Sequence, residues 1–289
     1  MTPFEKVARE HIGSRGSPDT RPLYLADLAR WVHFCQLRGF NVSAPTLEAT
    51  TAFRDELQES LAGPTVRRIL SALSKMYKVA VARQVVNWNP FDVGVLARPA
   101  ADDAGTTKLF SREEVEAIIG AAKGDDPLYV RDRAIMRLLY DTGLRVSSVA
   151  KLKRGKIFKR DDGSCVVLAK IKKKGDSEVE LAPTTVAALD AWLAIAKESL
   201  WVFPYKGSHI SRKAIGGRIS HYGKLVGIKD AHPHRFRATF ISDALDVMPL
   251  HEVQAAVHHA DPKTTLKYDR HKRGSGVTSA VAAKRGKDR

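Results

Sequence analysis

The sequence has little cysteine and no long apolar run. Its 289 residues include only two cysteines, Cys35 and Cys165, which stand far apart. Two isolated thiols exclude a disulfide framework and a cysteine zinc cluster, and they fit a reducing compartment. No stretch approaches the roughly 18 consecutive apolar residues of a membrane span, and the first residues show no apolar signal segment. We therefore expect a cytoplasmic protein that is not associated with a membrane.

Positive charge, in contrast, is in excess. The chain has 48 lysines and arginines against 32 aspartates and glutamates, which gives a formal net charge of +16. Such an excess attracts polyanions, and nucleic acid is the commonest of these. A ribosome-associated or simply basic protein would have the same charge, so the charge alone does not choose a function.

A polar segment divides the chain. Residues 99–107 are small and polar and include Pro99 and Gly105. This composition predicts a linker. We therefore expect a first domain at 1–98 and a second domain at 108–289.

The first domain has the pattern of a helical bundle. Apolar residues recur at helical spacing in three segments, 24–39, 44–59 and 63–83. The third helix carries basic residues on the face opposite its apolar one, namely Arg67, Arg68, Lys75 and Lys78. Such a face is either solvated or turned toward DNA.

The second domain mixes helices with a hairpin. Ser111 and Glu114 have the spacing of a capping box, which predicts a helix start. The pattern from Val166 to Leu181 predicts two antiparallel strands, 166–172 and 177–181, around a turn. We therefore expect a mainly α protein with a small antiparallel β-sheet.

Arg145 lies in the segment "DTGLRVSSVAKLK". Gly143 can end a helix in the left-handed conformation, and Ser147 can cap the next helix. Arg145 would then be held rigidly between two helix ends. It is either an ordinary surface arginine or a clamp for phosphate.

The predicted hairpin turn is rich in lysine. The segment "KIKKKGD" contains four lysines, Lys170, Lys172, Lys173 and Lys174. A lysine run in a turn is usually solvated. In an enzyme that acts on nucleic acid it can also reach the DNA.

His234 and Arg237 lie three residues apart in "HPHRFRATFISDAL", so they share a helix face. Pro233 suits the first turn of that helix. On its own, such a pair is more often structural than catalytic.

Tyr268 ends the segment "HHADPKTTLKY". Asp261 and Pro262 predict a turn, after which Thr264 or Thr265 would cap a short helix that carries the tyrosine. Tyr268 is either a packing residue or a nucleophile. The histidines nearby lack the His-Glu-x-x-His pattern and a third ligand, so we expect neither a metal nor a cofactor.

In this order, the motifs resemble the tyrosine recombinase (phage integrase) family. "TGLRVS" is similar to the first arginine box of the family, "HRFR" to its His-x-x-Arg box, and "HADPKTTLKY" to its final box. The resemblance extends over residues 111–271. It reaches more loosely into the first domain, which resembles the core-binding domain of the family.

The resemblance implies a role for six residues. Arg145 and Arg237 would bind the scissile phosphate, and Tyr268 would be the nucleophile. His234 and His259 would be the supporting histidines. The catalytic lysine would be Lys172 when counted without gaps, or Lys173 or Lys174 if the turn differs in length.

The resemblance also implies an activity. A two-domain, DNA-clamping protein would cleave double-stranded DNA without metal through a 3′-phosphotyrosine and a Holliday junction. It would act as a homo-tetramer on two sites, with possible accessory DNA-bending proteins, and residues 274–289 would dock on a neighbouring protomer. The alternatives are a type IB topoisomerase-like relaxing enzyme and a DNA-binding protein without catalysis.

Three positions depart from the family pattern. Ser148 stands where members usually have a glutamate that orients catalytic groups, and Ala238 stands where a histidine is common. His258 replaces the usual glycine. Either His258 or His259 could therefore be aligned with the histidine of the final box. The spacing from the threonine pair to Tyr268 favours His259.

Overall fold

In the computed structural model, the chain divides into two compact units, Met1–Gly105 and Thr106–Arg289. Each unit is described by itself below. The residues that the structure describes are 1–15, 20–100, 108–171, 175–258 and 261–269.

The described part of the first unit is helical. Its helices are α1 (Pro3–Arg15), α2 (Arg21–Arg38), α3 (Leu47–Ser60) and α4 (Gly63–Ala82). The three helices predicted from apolar spacing are α2, α3 and α4, and they are confirmed. Helix α2 ends at Gly39, whose φ of 72° is left-handed. Helix α1 was not predicted, although it buries Phe4, Ala8 and Ile12 at intervals of four residues.

A chain of aromatic side chains organises this first core. The indole N–H of buried Trp31 donates to the Tyr77 hydroxyl at 2.8 Å, and that hydroxyl donates to the carbonyl of Val42 at 2.7 Å. Phe4 stacks on Tyr77 with the ring centroids 4.0 Å apart. Because both buried polar groups have partners, the large rings are buried without an unsatisfied donor.

The basic face of α4 is only partly a free surface. Arg68 pairs with Asp27, which is 3% exposed, through two hydrogen bonds, one of them 2.9 Å long. Arg67 donates to the carbonyl of Pro99 at 2.6 Å. Lys75 and Lys78 are exposed. Interpreting all four side chains as one solvated or DNA-facing surface was therefore wrong for Arg68, which neutralises a buried carboxylate of α2.

The second unit has eight α-helices among its described residues. They are α5 (Arg112–Gly120), α6 (Pro127–Thr142), α7 (Val146–Ala150), α8 (Pro183–Ile195), α9 (Arg212–Leu225), α10 (Pro233–Val247), α11 (Leu250–Val257) and α12 (Pro262–Leu266). The capping box at the start of α5 is confirmed, since the backbone N–H of Glu114 donates to Ser111 Oγ at 3.1 Å and that of Ser111 donates to Glu114 Oε2 at 2.9 Å.

A three-stranded antiparallel sheet lies between α7 and α8 in the chain. Its strands, in the order β1-β2-β3, are β1 (Ile157–Lys159), β2 (Cys165–Ile171) and β3 (Gly175–Glu180). A two-stranded ribbon, β4 (Pro204–Tyr205) and β5 (Ser208–His209), follows α8. The predicted class, mainly α with a small antiparallel sheet, is confirmed.

The predicted hairpin is confirmed, but its limits differ from the prediction. Strand β3 begins at Gly175, two residues earlier than predicted, and ends at Glu180 rather than Leu181. The reason is that the ladder continues past Ala169↔Ser177 to Ile171↔Gly175. Gly175 and Asp176, whose residue types had suggested a turn, are therefore paired in the β-ladder. Strand β1 was not predicted, because three residues are too few for a recognisable alternation.

Helix α6 lies at the centre of the second core. Ile135, Leu138 and Leu139 are buried, as their spacing predicted. Asp132, on the same helix, is 3% exposed and accepts hydrogen bonds from Arg218 Nε at 2.6 Å and from the Tyr222 hydroxyl at 2.8 Å. These contacts join α6 to α9. In the described ranges, no helix has both the length and the apolar character to cross a membrane.

Helix α6 ends at a glycine that no other residue can replace easily. Gly143 has φ of 59°, as its position after the helix had predicted, and an added Cβ would lie 2.3 Å from the ring of Phe240. The left-handed conformation and the close approach of α10 therefore both require glycine.

We expect Gly143→Ala to lower the free energy of unfolding by about 2–4 kcal/mol. The cost of the left-handed backbone conformation and the cost of the clash with Phe240 are additive. Gly163→Ala is the matched control, since Gly163 has φ of 84° and nothing within 4 Å of the added Cβ. It should cost only the strain, about 1 kcal/mol. Urea unfolding measures both variants, and equal losses would show that contact with Phe240 does not matter.

Candidate active site

Arg145 lies between two helix ends. Helix α6 stops at Thr142, and Arg145 is the N-cap residue of α7, with φ −65° and ψ 141°. The predicted position is confirmed, and the side chain is exposed. The predicted capping by Ser147 is wrong, because α7 already begins at Val146 and Ser147 lies inside its first turn.

Arg237 is held by the ends of two other helices. Its side chain is 5% exposed. Nη1 donates to the carbonyl of Gly143, and Nη2 donates to the carbonyl of Val257 at 2.7 Å. These carbonyls lie at the C-terminal ends of α6 and α11, where the helix dipole is negative. The two ends together therefore position a buried cation.

Burial and charge also affect the ionisation of this arginine. Burial, followed by the positive charge of Arg145, lowers the pKa of Arg237 to about 10. The guanidinium therefore remains charged at neutral pH. The effect of Arg145 on the pKa of Arg237 is consistent with two cations that lie near one another.

His234 contacts the predicted nucleophile directly. Its Nε2 lies 3.1 Å from the hydroxyl oxygen of Tyr268, and the two rings meet edge to face with centroids 6.3 Å apart. Burial lowers the pKa of His234, and the nearby His232, Arg237 and Arg145 lower it further. The imidazole is therefore neutral at pH 7, and Nε2 can accept a proton.

Tyr268 follows the short helix α12 rather than lying on it. Helix α12 ends at Leu266, and the backbone N–H of Tyr268 donates to the carbonyl of Thr265 at 3.0 Å. The N-cap is Asp261, which accepts from the backbone N–H of Lys263 at 2.9 Å. The predicted threonine cap is therefore wrong, because the aspartate before Pro262 already satisfies the first turn.

The tyrosine also has the packing role that its sequence allowed. Its ring is partly buried against a small apolar cluster, which consists of Ile241, Leu245, Val253 and Val257. Burial raises the pKa of Tyr268, and the opposing effects of Arg237 and Arg145 only reduce that rise. The phenol is therefore protonated at neutral pH, and its proton needs an acceptor.

Four of the six predicted residues meet in one site. Arg145, His234, Arg237 and Tyr268 are joined by the contacts and charge effects above. Lys172 and His259 lie outside the described residues, as do Lys173, Lys174 and the tail 274–289. In the parts of the chain that the structure describes, no group of three or more histidine, cysteine, aspartate or glutamate side chains is placed to hold a metal ion.

Two of the unusual positions have definite places in the fold. Ala238 is fully buried. His258 ends α11 with φ of 55°, the left-handed conformation that explains why glycine is usual there. His258 directly follows Val257, whose carbonyl accepts from Arg237 Nη2 at 2.7 Å.

Sequence reasoning assigned no role to His232. This residue is the N-cap of α10, and its ring lies nearly parallel to that of His234, with centroids 6.4 Å apart. The signal was a second imidazole two residues before His234. The spacing alone gave no indication that the two rings lie nearly parallel.

Comparison with known proteins identifies the family of the chain. The phage integrase family model matches residues 108–274, and the model of the phage integrase N-terminal SAM-like domain matches residues 10–84. The chain is 30% identical over 271 residues to the tyrosine recombinase XerC of Lactobacillus leichmannii, with 87% of this chain and 88% of the relative covered.

Two further proteins are similar over most of the chain. The tyrosine recombinase XerD of Shewanella oneidensis is 28% identical over 270 residues, which is 87% of this chain and 86% of the relative. The Tn1549 transposon integrase in complex with circular intermediate DNA has a TM-score of 0.75 at 17% identity, with 97% of this chain and 99% of that chain covered. The first family model alone matches more than half of the chain. The chain therefore belongs to the phage integrase family.

Proposed function

We propose that this protein is a tyrosine-type site-specific DNA recombinase that breaks and rejoins DNA strands through Tyr268. The observation that carries the proposal is the contact of 3.1 Å between the Tyr268 hydroxyl and His234 Nε2. Both groups lie within the electrostatic influence of Arg145 and Arg237. The similarity to proteins named tyrosine recombinases supports the same chemistry.

Arg145 and Arg237 would bind the scissile phosphate. A phosphodiester under attack concentrates negative charge on its equatorial oxygens, and two guanidinium groups can neutralise that charge by directed hydrogen bonds. Arg237 suits a fixed role, because carbonyls at two helix ends hold it. Arg145 is exposed at a helix start and can reach a bound strand.

Tyr268 would attack the phosphorus atom as His234 removes its proton. The new bond joins the phenolic oxygen to phosphorus, and the bond from phosphorus to the 5′-oxygen breaks. The phenol proton passes to Nε2 of the neutral His234. This step leaves a 3′-phosphotyrosine, as in covalent catalysis by other activated nucleophiles.

The departing 5′-oxygen needs a proton, which a lysine could donate. We assign this role to Lys172, with Lys173 or Lys174 as alternatives, and a supporting phosphate contact to His259. These residues lie outside the described part of the chain, so their assignment depends on the motif order.

Strand exchange would follow from the reverse reaction. The 5′-hydroxyl of a second strand attacks the phosphotyrosine, and the bond from tyrosine to phosphorus breaks, so no external energy source is needed. Two rounds would form and resolve a Holliday junction on two double-stranded sites, with a homo-tetramer supplying four tyrosines. Accessory DNA-bending proteins are possible partners, and the cytoplasm is the proposed location.

Each unit would have its own role on the DNA. We assign core binding of DNA to residues 1–98 and catalysis to residues 108–289, with 99–107 as the linker. The match of the SAM-like domain model to residues 10–84 supports the first assignment. The exposed Lys75 and Lys78 of α4 are candidates for phosphate contacts there.

Covalent capture tests the nucleophile. Labelled fragments of the DNA that carries the gene for this protein are mixed with the protein in the absence of metal. The products are resolved on denaturing gels. We expect a slowly migrating protein–DNA band with the wild type and with Tyr205→Phe, a matched control whose ring is 51% exposed. Tyr268→Phe should give no such band, because it lacks the attacking oxygen.

The alternatives give different results. Tight binding by the wild type without any covalent band would favour a DNA-binding protein without catalysis. A covalent band accompanied by relaxation of supercoiled DNA, but without joining of two sites, would favour a relaxing enzyme. Exchange of strands between two sites supports the proposal.

The pH dependence of cleavage tests His234. Its lowered pKa means that the base stays neutral below the usual histidine range, so cleavage should persist there and fall only at more acidic pH. His234→Ala should reduce the single-turnover cleavage rate by about a hundredfold and abolish this acid limb. An unchanged acid limb in the variant would assign the proton transfer to another group.

A further inference from the structure

His232 makes two contacts that bear on His234. Its side chain caps α10, since Nδ1 accepts from the backbone N–H of Arg235 at 3.3 Å. The carbonyl of His232 accepts from the same N–H at 3.0 Å. On the other side, its ring lies nearly parallel to the ring of His234, at an interplanar angle of 10°.

The same two imidazoles line a cavity beside the candidate active site. The cavity has a volume of about 600 Å³. Its other charged lining groups are Lys108, which precedes α5, Lys229 and Asp230, which precede α10, and Arg235. Arg235 donates hydrogen bonds to the carbonyls of Lys108 and Leu109, at 2.9 and 3.0 Å. His232 and His234 therefore share the wall of a cavity whose other charged lining groups are mostly basic.

We propose that His232 is a positioning residue, which fixes the His234 ring opposite the Tyr268 hydroxyl through the N-cap of α10 and through the parallel contact of the two rings. The inference rests on the proposed function, because it concerns the base that would accept the tyrosine proton. His232 does not itself contact Tyr268 in any described hydrogen bond, so its effect passes through His234.

The cap determines where the first turn of α10 lies. His234 is the second residue of this helix, and Pro233 is the first. An N-cap side chain that accepts a hydrogen bond from a backbone N–H of the first turn stabilises that turn. Because a hydrogen bond of 3.1 Å joins His234 to the Tyr268 hydroxyl, a small displacement of the turn would break it.

The neighbouring imidazole also affects the ionisation of His234. After burial, His232 is the largest cause of the lowered pKa of His234, ahead of Arg237 and Arg145. Burial also lowers the pKa of His232, followed by the charge of Arg235, whereas Asp230 opposes the change. Both imidazoles are therefore neutral at neutral pH, where Nδ1 of His232 is available as the cap acceptor. In acid, where His232 itself becomes charged, its charge opposes the protonation of His234.

Two variants distinguish the contribution of the N-cap hydrogen bond of His232 from that of its ring. His232→Ser keeps an N-cap acceptor but removes the ring, and His232→Ala removes both. His251→Ser is the matched control, because the His251 side chain on α11 is 81% exposed. Single-turnover covalent capture is measured from about pH 5 to pH 8, with thermal unfolding to confirm that every variant is folded.

We expect His232→Ser to move the acid limb of the cleavage profile toward higher pH. Loss of the neighbouring ring raises the pKa of His234, so more of the base is protonated near pH 6, and the rate there should fall about threefold while the rate at pH 8 is unchanged. His232→Ala should be slower at every pH, and His251→Ser should follow the wild type. A His232→Ser profile that superimposes on the wild type would overturn the proposal.

Histidine NMR separates this inference from the proposed function. The His234 signal, assigned by its absence in His234→Ala, is titrated in the wild type and in His232→Ser. A higher His234 titration midpoint in the variant supports the positioning role, and an unchanged midpoint overturns it. If the wild type forms no covalent DNA product, the recombinase proposal fails, but this titration still decides the role of His232.

Discussion

The site depends on how one buried guanidinium is held. Arg237 is 5% exposed and donates to the carbonyls of Gly143 and Val257. A buried cation without acceptors would be costly, and the negative ends of α6 and α11 offset that cost. The arginine thereby fixes α10 against both helices. The other groups of the site lie on the segments next to these contacts, since Arg145 follows Gly143 and Tyr268 packs on Val257.

Burial leaves His234 and Tyr268 both uncharged at neutral pH, and the paired cations lower the pKa of each group. Arg145 and Arg237 help to keep His234 neutral, since they disfavour a third positive charge. They also favour the anionic form of Tyr268, but burial is the larger effect and leaves the phenol protonated. A neutral base therefore faces a protonated nucleophile at 3.1 Å. A phosphate that arrives between the arginines would supply the missing negative charge.

Local signals in the sequence predicted much of the fold. The capping box at Ser111, the helix end at Gly143 and the apolar faces of α2, α3 and α4 are all short-range features, and all were found. The errors have different causes. Helix α1 and the pairing of Arg68 with Asp27 depend on partners distant in the chain, and the early start of β3 depends on backbone pairing of Gly175 with Ile171 across the turn. Helix caps were also misplaced where two polar residues competed, as with Asp261 and Thr264.

The sequence by itself determined the chemical inventory, because Arg145, His234, Arg237 and Tyr268 occur in an order and spacing that resemble one family. Only the tertiary structure decided how these groups act on one another. Burial and the approach of charges distant in the chain set the pKa of each group, and neither follows from spacing. The role inferred for His232 shows the difference most directly: its distance from His234 in sequence is visible at once, but the near-parallel rings arise only when α10 is folded and capped.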